Sequence, residues 1–290
     1  RDAGLQSAGF SKSQVQERQP NAWRRRHVWG EEFMVSTAVL IGLIAAAFGA
    51  GWVNAVVGGG GLIMLPSLLV SLPREVPVAS VVGTNKTAQV VGNITSGASY
   101  LRRQRPTWRI FLWAAFTALL GALAGVRVLR LMSRDVYTPI LLVVLVVIGV
   151  FTWRRPTMGV KVNEADQGGH PLLMAIIGFF LGFYDAAIGP GVGTFWVLAF
   201  VAVGGYSFLR ASGMAKMCNS VTNLVTIVTL ALHGAVLWHV VWPLVIANVT
   251  GGLVGARTAQ KHGDSFVRKA FLVVIAVLGV KLLVEMIWGG

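Results

Sequence analysis

Charge is scarce in this sequence. Only 12% of its 290 residues are charged, while 55% are hydrophobic; a soluble domain needs about a quarter charged to coat its surface. Half that fraction leaves an apolar surface that only lipid accommodates. Cysteine is nearly absent. The lone Cys218 excludes an intrachain disulfide and a cysteine-based zinc site, and its apolar neighbours make it a small packed residue. Catalytic signatures are missing too: there is no His-Glu-x-x-His, no Gly-x-Ser-x-Gly and no acidic pair at helical spacing. The expectation is therefore no enzyme, no cofactor and no bound metal. His233 and His239 stand at a segment boundary without a ligand cluster and read as loop or interface residues.

What is present is a series of apolar runs. They cover 34–57, 62–72, 78–101, 108–132 and 136–153, then 172–188, 194–203, 211–232, 240–256 and 266–288. A helix crosses the hydrocarbon core with roughly 20 residues, so the runs predict an all-α integral membrane protein with 8–10 membrane helices. The net charge of +14 does not indicate nucleic acid, because the basic residues flank the apolar runs: Arg24 to Arg26, Arg102, Arg103, Arg105, Arg154, Arg155, Arg268 and Lys269. That is how positive charge sets topology in a bilayer. Trp108, Trp238 and Trp288 at run ends read as interfacial anchors. Residues 1–33 are polar, aperiodic and without the apolar core of a signal peptide, and read as a disordered tail.

The chain repeats itself. Gly83, Lys86, Asn93, Trp108, Gly121, Gly125, Arg127 and Gly149 recur 130 residues later as Gly213, Lys216, Asn223, Trp238, Gly251, Gly255, Arg257 and Gly279. In the first hairpin the offset is nearer 131, which sets Asn54 against Asp185. A run of matches that includes rare intramembrane lysines signals duplication. The organisation follows: tail 1–33, first membrane repeat 34–153, polar linker 154–170, second membrane repeat 171–290. The loop 102–109 holds four arginines, while its equivalent 233–239 holds no Lys or Arg. Equivalent loops on opposite sides of the bilayer mean inverted repeats. The Gly121/Gly125 and Gly251/Gly255 pairs are small-xxx-small surfaces that suit helix packing, and the Gly121/Gly125 surface also permits a homodimer.

Two features carry chemistry. The first is Lys86, roughly 13 Å into its segment at 1.5 Å per residue, where a lysine costs on the order of 3 kcal/mol. Lys86, Gln89 and Asn93 share one helix face, and Lys216, Asn219 and Asn223 repeat the spacing. Thr84 and Asn85 add donors in the first half, whereas their counterparts Met214 and Ala215 are apolar, so the site should be asymmetric. The bland alternative is that these polar residues only join helix to helix. The second feature is a pair of glycine breaks, Gly58 to Gly61 and Gly189-Pro190-Gly191-Val192-Gly193. Half-helices starting at Leu62 and Thr194, capped by Gly60 and Gly61 and by Gly191 and Gly193, would offer N–H groups and a positive dipole end to an anion. Gly59 belongs to the first of these runs. Of the eleven acidic residues, only Asp185 lies well inside an apolar run, and it reads as an ion-pair or coupling-proton residue.

The stretch Gly51-Trp-Val-Asn-Ala-Val-Val-Gly-Gly-Gly-Gly-Leu-Ile-Met-Leu-Pro66, followed by Gly83-Thr-Asn-Lys86 and Asn93, resembles the TauE/SafE family of sulfite and sulfonate exporters, over about residues 34 to 288. The resemblance implies a multi-pass bacterial inner-membrane permease for small sulfur-containing anions such as sulfite or sulfoacetate, usually moving them outward. Carried over, it points to Asn54, Gly58 to Gly61, Thr84, Asn85, Lys86 and Asn93, and to Lys216 and Asn223. The second half departs from the pattern at Met214-Ala215 and in its proline-containing break. The expected partners are a small anion and the lipid bilayer. A cation or metal transporter is the alternative, and a membrane scaffold a weaker one; the first wants clustered carboxylates or histidines in the membrane.

Overall fold

A computed structural model describes residues 36–102, 105–154 and 170–262. The tail 1–33, most of the linker 154–170, the final apolar run 266–288 and the basic flanks within them lie outside the described residues. Those described belong to one compact unit, Val35–Gly290. Among them nine helices form and no strand: α1 Thr37–Val57, α2 Gly61–Ser71, α3 Val78–Leu101, α4 Trp108–Leu131, α5 Arg134–Arg154, α6 Pro171–Ala187, α7 Val192–Ala202, α8 Phe208–Leu232 and α9 Trp238–His262.

Local chemistry sets the boundaries. The Ser36 hydroxyl accepts from the Val39 N–H and starts α1, and Ser207 does the same for α8 through Arg210. Pro77 precedes α3, and Pro171 opens α6 at a position where a missing N–H costs nothing. Helix α1 stops at Gly58, whose φ of 87° suits only glycine comfortably. The Arg134 guanidinium donates to the carbonyls of Leu69, Leu72 and Pro73, so the start of α5 caps the negative end of α2.

Lengths separate two kinds of helix. α1, α4, α8 and α9 are long and apolar enough to cross a bilayer. α2 and α7 have 11 residues each, about 16 Å at 1.5 Å per residue, or half the hydrocarbon core. At the first break the chain turns back onto α1: a Cβ on Gly60 would come within 2.5 Å of both the Ala50 carbonyl oxygen and the Asn54 Cβ. The outward faces of α4 and α9 expose large apolar side chains one turn apart, Leu112, Phe116 and Leu120 on the first, Trp238, Trp242 and Ile246 on the second. With no water to hide from, such stripes face lipid.

The glycine pairs lock the two halves together. A Cβ on Gly121 would lie 1.9 Å from the Phe179 carbonyl oxygen, and one on Gly125 2.3 Å from that of Phe183, so α4 presses directly on α6. The same contact recurs between α9 and α1: a Cβ on Gly251 would lie 2.1 Å from the Phe48 carbonyl oxygen and one on Gly255 2.6 Å from that of Trp52. The face that the sequence offered to a second copy at Gly121 and Gly125 is thus occupied by α6 of the same chain. Gly121→Ala is expected to destabilise by about 1–3 kcal/mol, the usual cost of overpacking. Gly42→Ala, at a site with nothing within 4 Å of the new Cβ, should be neutral or mildly stabilising. Melting curves of the detergent-solubilised variants check both.

Candidate functional site

The two glycine breaks meet. Gly58 ends α1 and Gly193 lies in the first turn of α7; a Cβ on Gly193 would lie 2.1 Å from the Gly58 carbonyl oxygen. Gly61, the first residue of α2, stands against Pro190 of the second break. Gly58, Gly189 and Gly191 all take positive φ, 87°, 98° and 74°, which lets the backbone reverse where a side chain would not fit. Each long helix therefore stops beside the start of the other half's short helix.

A small buried cavity opens at this crossing. Backbone from both breaks lines it, at Gly58, Gly61, Gly189, Gly191 and Val192, and α1 and α6 contribute Asn54 and Asp185. Helix α3 contributes Asn85, Lys86 and Gln89, and α8 contributes Asn219 and Asn223. The first turns of two half-helices, one lysine and several side-chain amides share one space.

Lys86 does not stand alone there. Its ammonium pairs with the Asp185 carboxylate, both side chains being almost wholly buried. The other carboxylate oxygen accepts from the Thr222 hydroxyl of α8. Lys216 has a different partner. Its Nζ donates to the Asn54 carbonyl at 2.6 Å and stands over the Tyr100 ring, whose hydroxyl bonds the next carbonyl, that of Ala55, at 2.8 Å. Lys216 and Tyr100 thus both bond the last turn of α1, where the Asn54 carbonyl also accepts from the Gly58 N–H at 2.9 Å. The 130- and 131-residue offsets relate the two contacts: Lys86 meets Asp185, and Lys216 meets Asn54. One pseudo-equivalent pair is ionic and the other is not. Lys86, Lys216 and Asp185 are the ionisable Lys, Arg, Asp or Glu side chains among the described buried residues, two basic and one acidic, a formal net charge of +1.

Several sequence expectations need correction. The half-helices begin at Gly61 and Val192 rather than at Leu62 and Thr194. The Leu62 N–H is turned back on the Gly59 carbonyl and the Thr194 N–H on that of Gly191, each at 3.0 Å, so neither is free for an anion. Asn93 shares a helix face with Lys86, yet it does not line the cavity; its amide oxygen accepts from Asn54 Nδ2. Thr84 points away and accepts from the Leu237 N–H at 3.0 Å. Gly59, Gly60 and Gly193 shape the crossing rather than wall the cavity. Lys216 sits behind Asn54 and does not line it either. Conversely, Thr222 was missed, although it falls on the Asn219–Asn223 stripe. Asn248 was missed as well: it is fully buried on α9, donates to the Ala47 carbonyl at 3.2 Å and crowds Gly92. A lone amide in an apolar helix was the available signal.

Known proteins share this layout of sequence. The family model described as sulfite exporter TauE/SafE matches residues 43–282. A probable membrane transporter protein, YfcA, of Escherichia coli K12 is 28% identical over 253 residues, spanning 87% of this chain and 93% of that protein. A probable membrane transporter protein of a Sinorhizobium species, ORF9, is 30% identical over 246 residues, 84% of this chain and 92% of that protein. A third, from Haemophilus influenzae, is 27% identical over 250 residues, 85% and 95% respectively. No solved structure matches the chain.

Proposed function

Because the chain belongs to the sulfite exporter TauE/SafE family of membrane transporters, we propose that it carries small sulfur-containing anions, sulfite or sulfonates, outward across the bacterial inner membrane. One observation carries this reading: the first turns of two half-helices, the Lys86–Asp185 pair and five side-chain amides (Asn54, Asn85, Gln89, Asn219 and Asn223) surround one buried cavity at the glycine crossing. Helix N-termini attract anions through oriented dipoles. A sulfonate has three oxygens around one negative charge and uses several N–H donors at once. The single net positive charge of the buried set suits a monoanion. Asn93 and Lys216 act behind the cavity wall: Asn93 holds Asn54, and Lys216 keeps positive charge beside the end of α1.

Carrier motion is the natural use of such a site. The halves run in the same order: a helix, a break, an 11-residue helix, then helices of 24 or 25 residues. The cross-half contacts of Gly121 and Gly125 are matched by those of Gly251 and Gly255. Inversion of the two repeats, as the arginine asymmetry of the loops suggests, would expose one central site alternately to each side.

The test is flux. The purified chain in liposomes should take up labelled sulfite or methanesulfonate with saturation, and unlabelled sulfonate should compete. Uptake no faster than through empty liposomes for every sulfur anion tried would contradict the reading.

A further inference from the structure

Resting on that reading, we propose that Asp185 is a proton carrier: the transported anion takes its place on Lys86, and the displaced carboxylate takes up one proton that crosses with the anion. Asp185 already behaves as a resident anion. It occupies the ammonium of the lysine that lines the cavity, and it lines the cavity itself. A second anion reaching Lys86 meets a carboxylate that is 0% exposed and would keep only the Thr222 hydroxyl. A buried charge stripped of its partner is strongly unfavourable, and two adjacent anions disfavour the charged form further.

Protonation removes both penalties and balances. The proton comes from water on the side to which the cavity is open and forms an O–H bond on Asp185. Once the anion leaves on the other side, Lys86 is vacant, the proton returns to water there, and the pair re-forms. Empty, the site holds Lys86 and ionised Asp185, with Lys216 behind its wall; loaded, it holds Lys86, the monoanion and neutral Asp185, with Lys216 unchanged. The net charge is the same, so neither form adds charge to the membrane interior. The new O–H also has receivers. The Asn219 and Asn223 side-chain oxygens are buried in the same cavity without a donor among the described residues.

No other group nearby is placed to take that proton. Tyr184 of α6 and Tyr137 of α5 spend their hydroxyls on the Pro190 and Ile188 carbonyls. On α8, Lys216 is bound to Asn54, and Cys218 packs in an apolar cluster with Ala55 and Tyr100. On α4, Arg109 and Arg127 are exposed and Arg130 lies at the helix end. Helices α2 and α7 bring no titratable side chain. The first half holds Asn54 where the second holds Asp185, so one proton is carried per cycle, not two.

Proteoliposomes enclosing a pH-sensitive dye test this. Methanesulfonate is the probe because it is permanently ionised, so a co-moving proton cannot ride on it. An inward methanesulfonate gradient should acidify the lumen by one proton per anion, and a clamped membrane potential should not change the rate. Asp185→Asn should uncouple the two: with the membrane potential clamped, whatever methanesulfonate uptake it retains should leave luminal pH flat. Wild-type flux without acidification would overturn the inference and leave anion transport standing, and it needs no variant to fold. Acidification that persists in Asp185→Asn would overturn it too. Absence of flux for methanesulfonate and for every other sulfur anion tried would overturn the transport reading and this inference with it.

Discussion

Lys86→Ala is expected to cost about 3–5 kcal/mol of stability and to abolish anion flux. Removing one partner of a buried ion pair leaves the other uncompensated, and that, rather than the lost attraction, is the larger part of the penalty. Asp185 is fully buried and would keep only Thr222. The effect should be conditional on the carboxylate. Lys86→Met/Asp185→Asn removes both charges with little change in volume and should regain most of the melting temperature. Melting of the single and paired variants in detergent forms a cycle that isolates the coupling. A paired variant as unstable as the single would show that Lys86 stabilises through packing and not through its charge.

The second large effect belongs to the crossing. Gly193→Ala should cost about 1–3 kcal/mol as an overpacking change, and Gly58→Ala more, because its left-handed backbone adds about 1–2 kcal/mol for any residue with a Cβ. At Gly193 the new Cβ would lie 2.1 Å from the Gly58 carbonyl oxygen, and at Gly58 it would lie 2.6 Å from the Gly193 carbonyl carbon. The obstacles are backbone atoms in both cases, so no side chain can rotate aside. The breaks must part, and the two half-helix starts separate with them. Both variants should lose methanesulfonate uptake more completely than Gly121→Ala, whose overpacking lies at the α4–α6 contact. Equal loss in all three would point to general destabilisation instead of damage to the site.

The sequence showed these features unevenly, and the reason is physical. Breaks, short helices and intramembrane lysines are local signals: glycine runs, run lengths and charge in an apolar setting. The repeat is read from an offset of 130 residues, 131 in the first hairpin. Partners leave no such mark. Lys86 and Asp185 are 99 residues apart, and no spacing rule joins them. Helix face also failed as a guide. Lys86, Gln89 and Asn93 share a stripe, but α3 is buried on nearly every side. One stripe thus meets different neighbours along its length, the cavity at Lys86 and Gln89 and α1 at Asn93. Thr84 illustrates the same point, since it is turned to the backbone at Leu237. The charge difference between the halves was readable at Asn54 against Asp185. Only the fold shows that each faces the other half's lysine.

The most direct measurement is methanesulfonate uptake by the Lys86→Met/Asp185→Asn protein, reconstituted alongside wild type once its melting temperature shows that it is folded. Uptake at the level of empty liposomes is the expected result, because the cavity has lost the cation that receives the anion. Uptake at the wild-type rate would contradict the account and place the anion's path elsewhere in the protein.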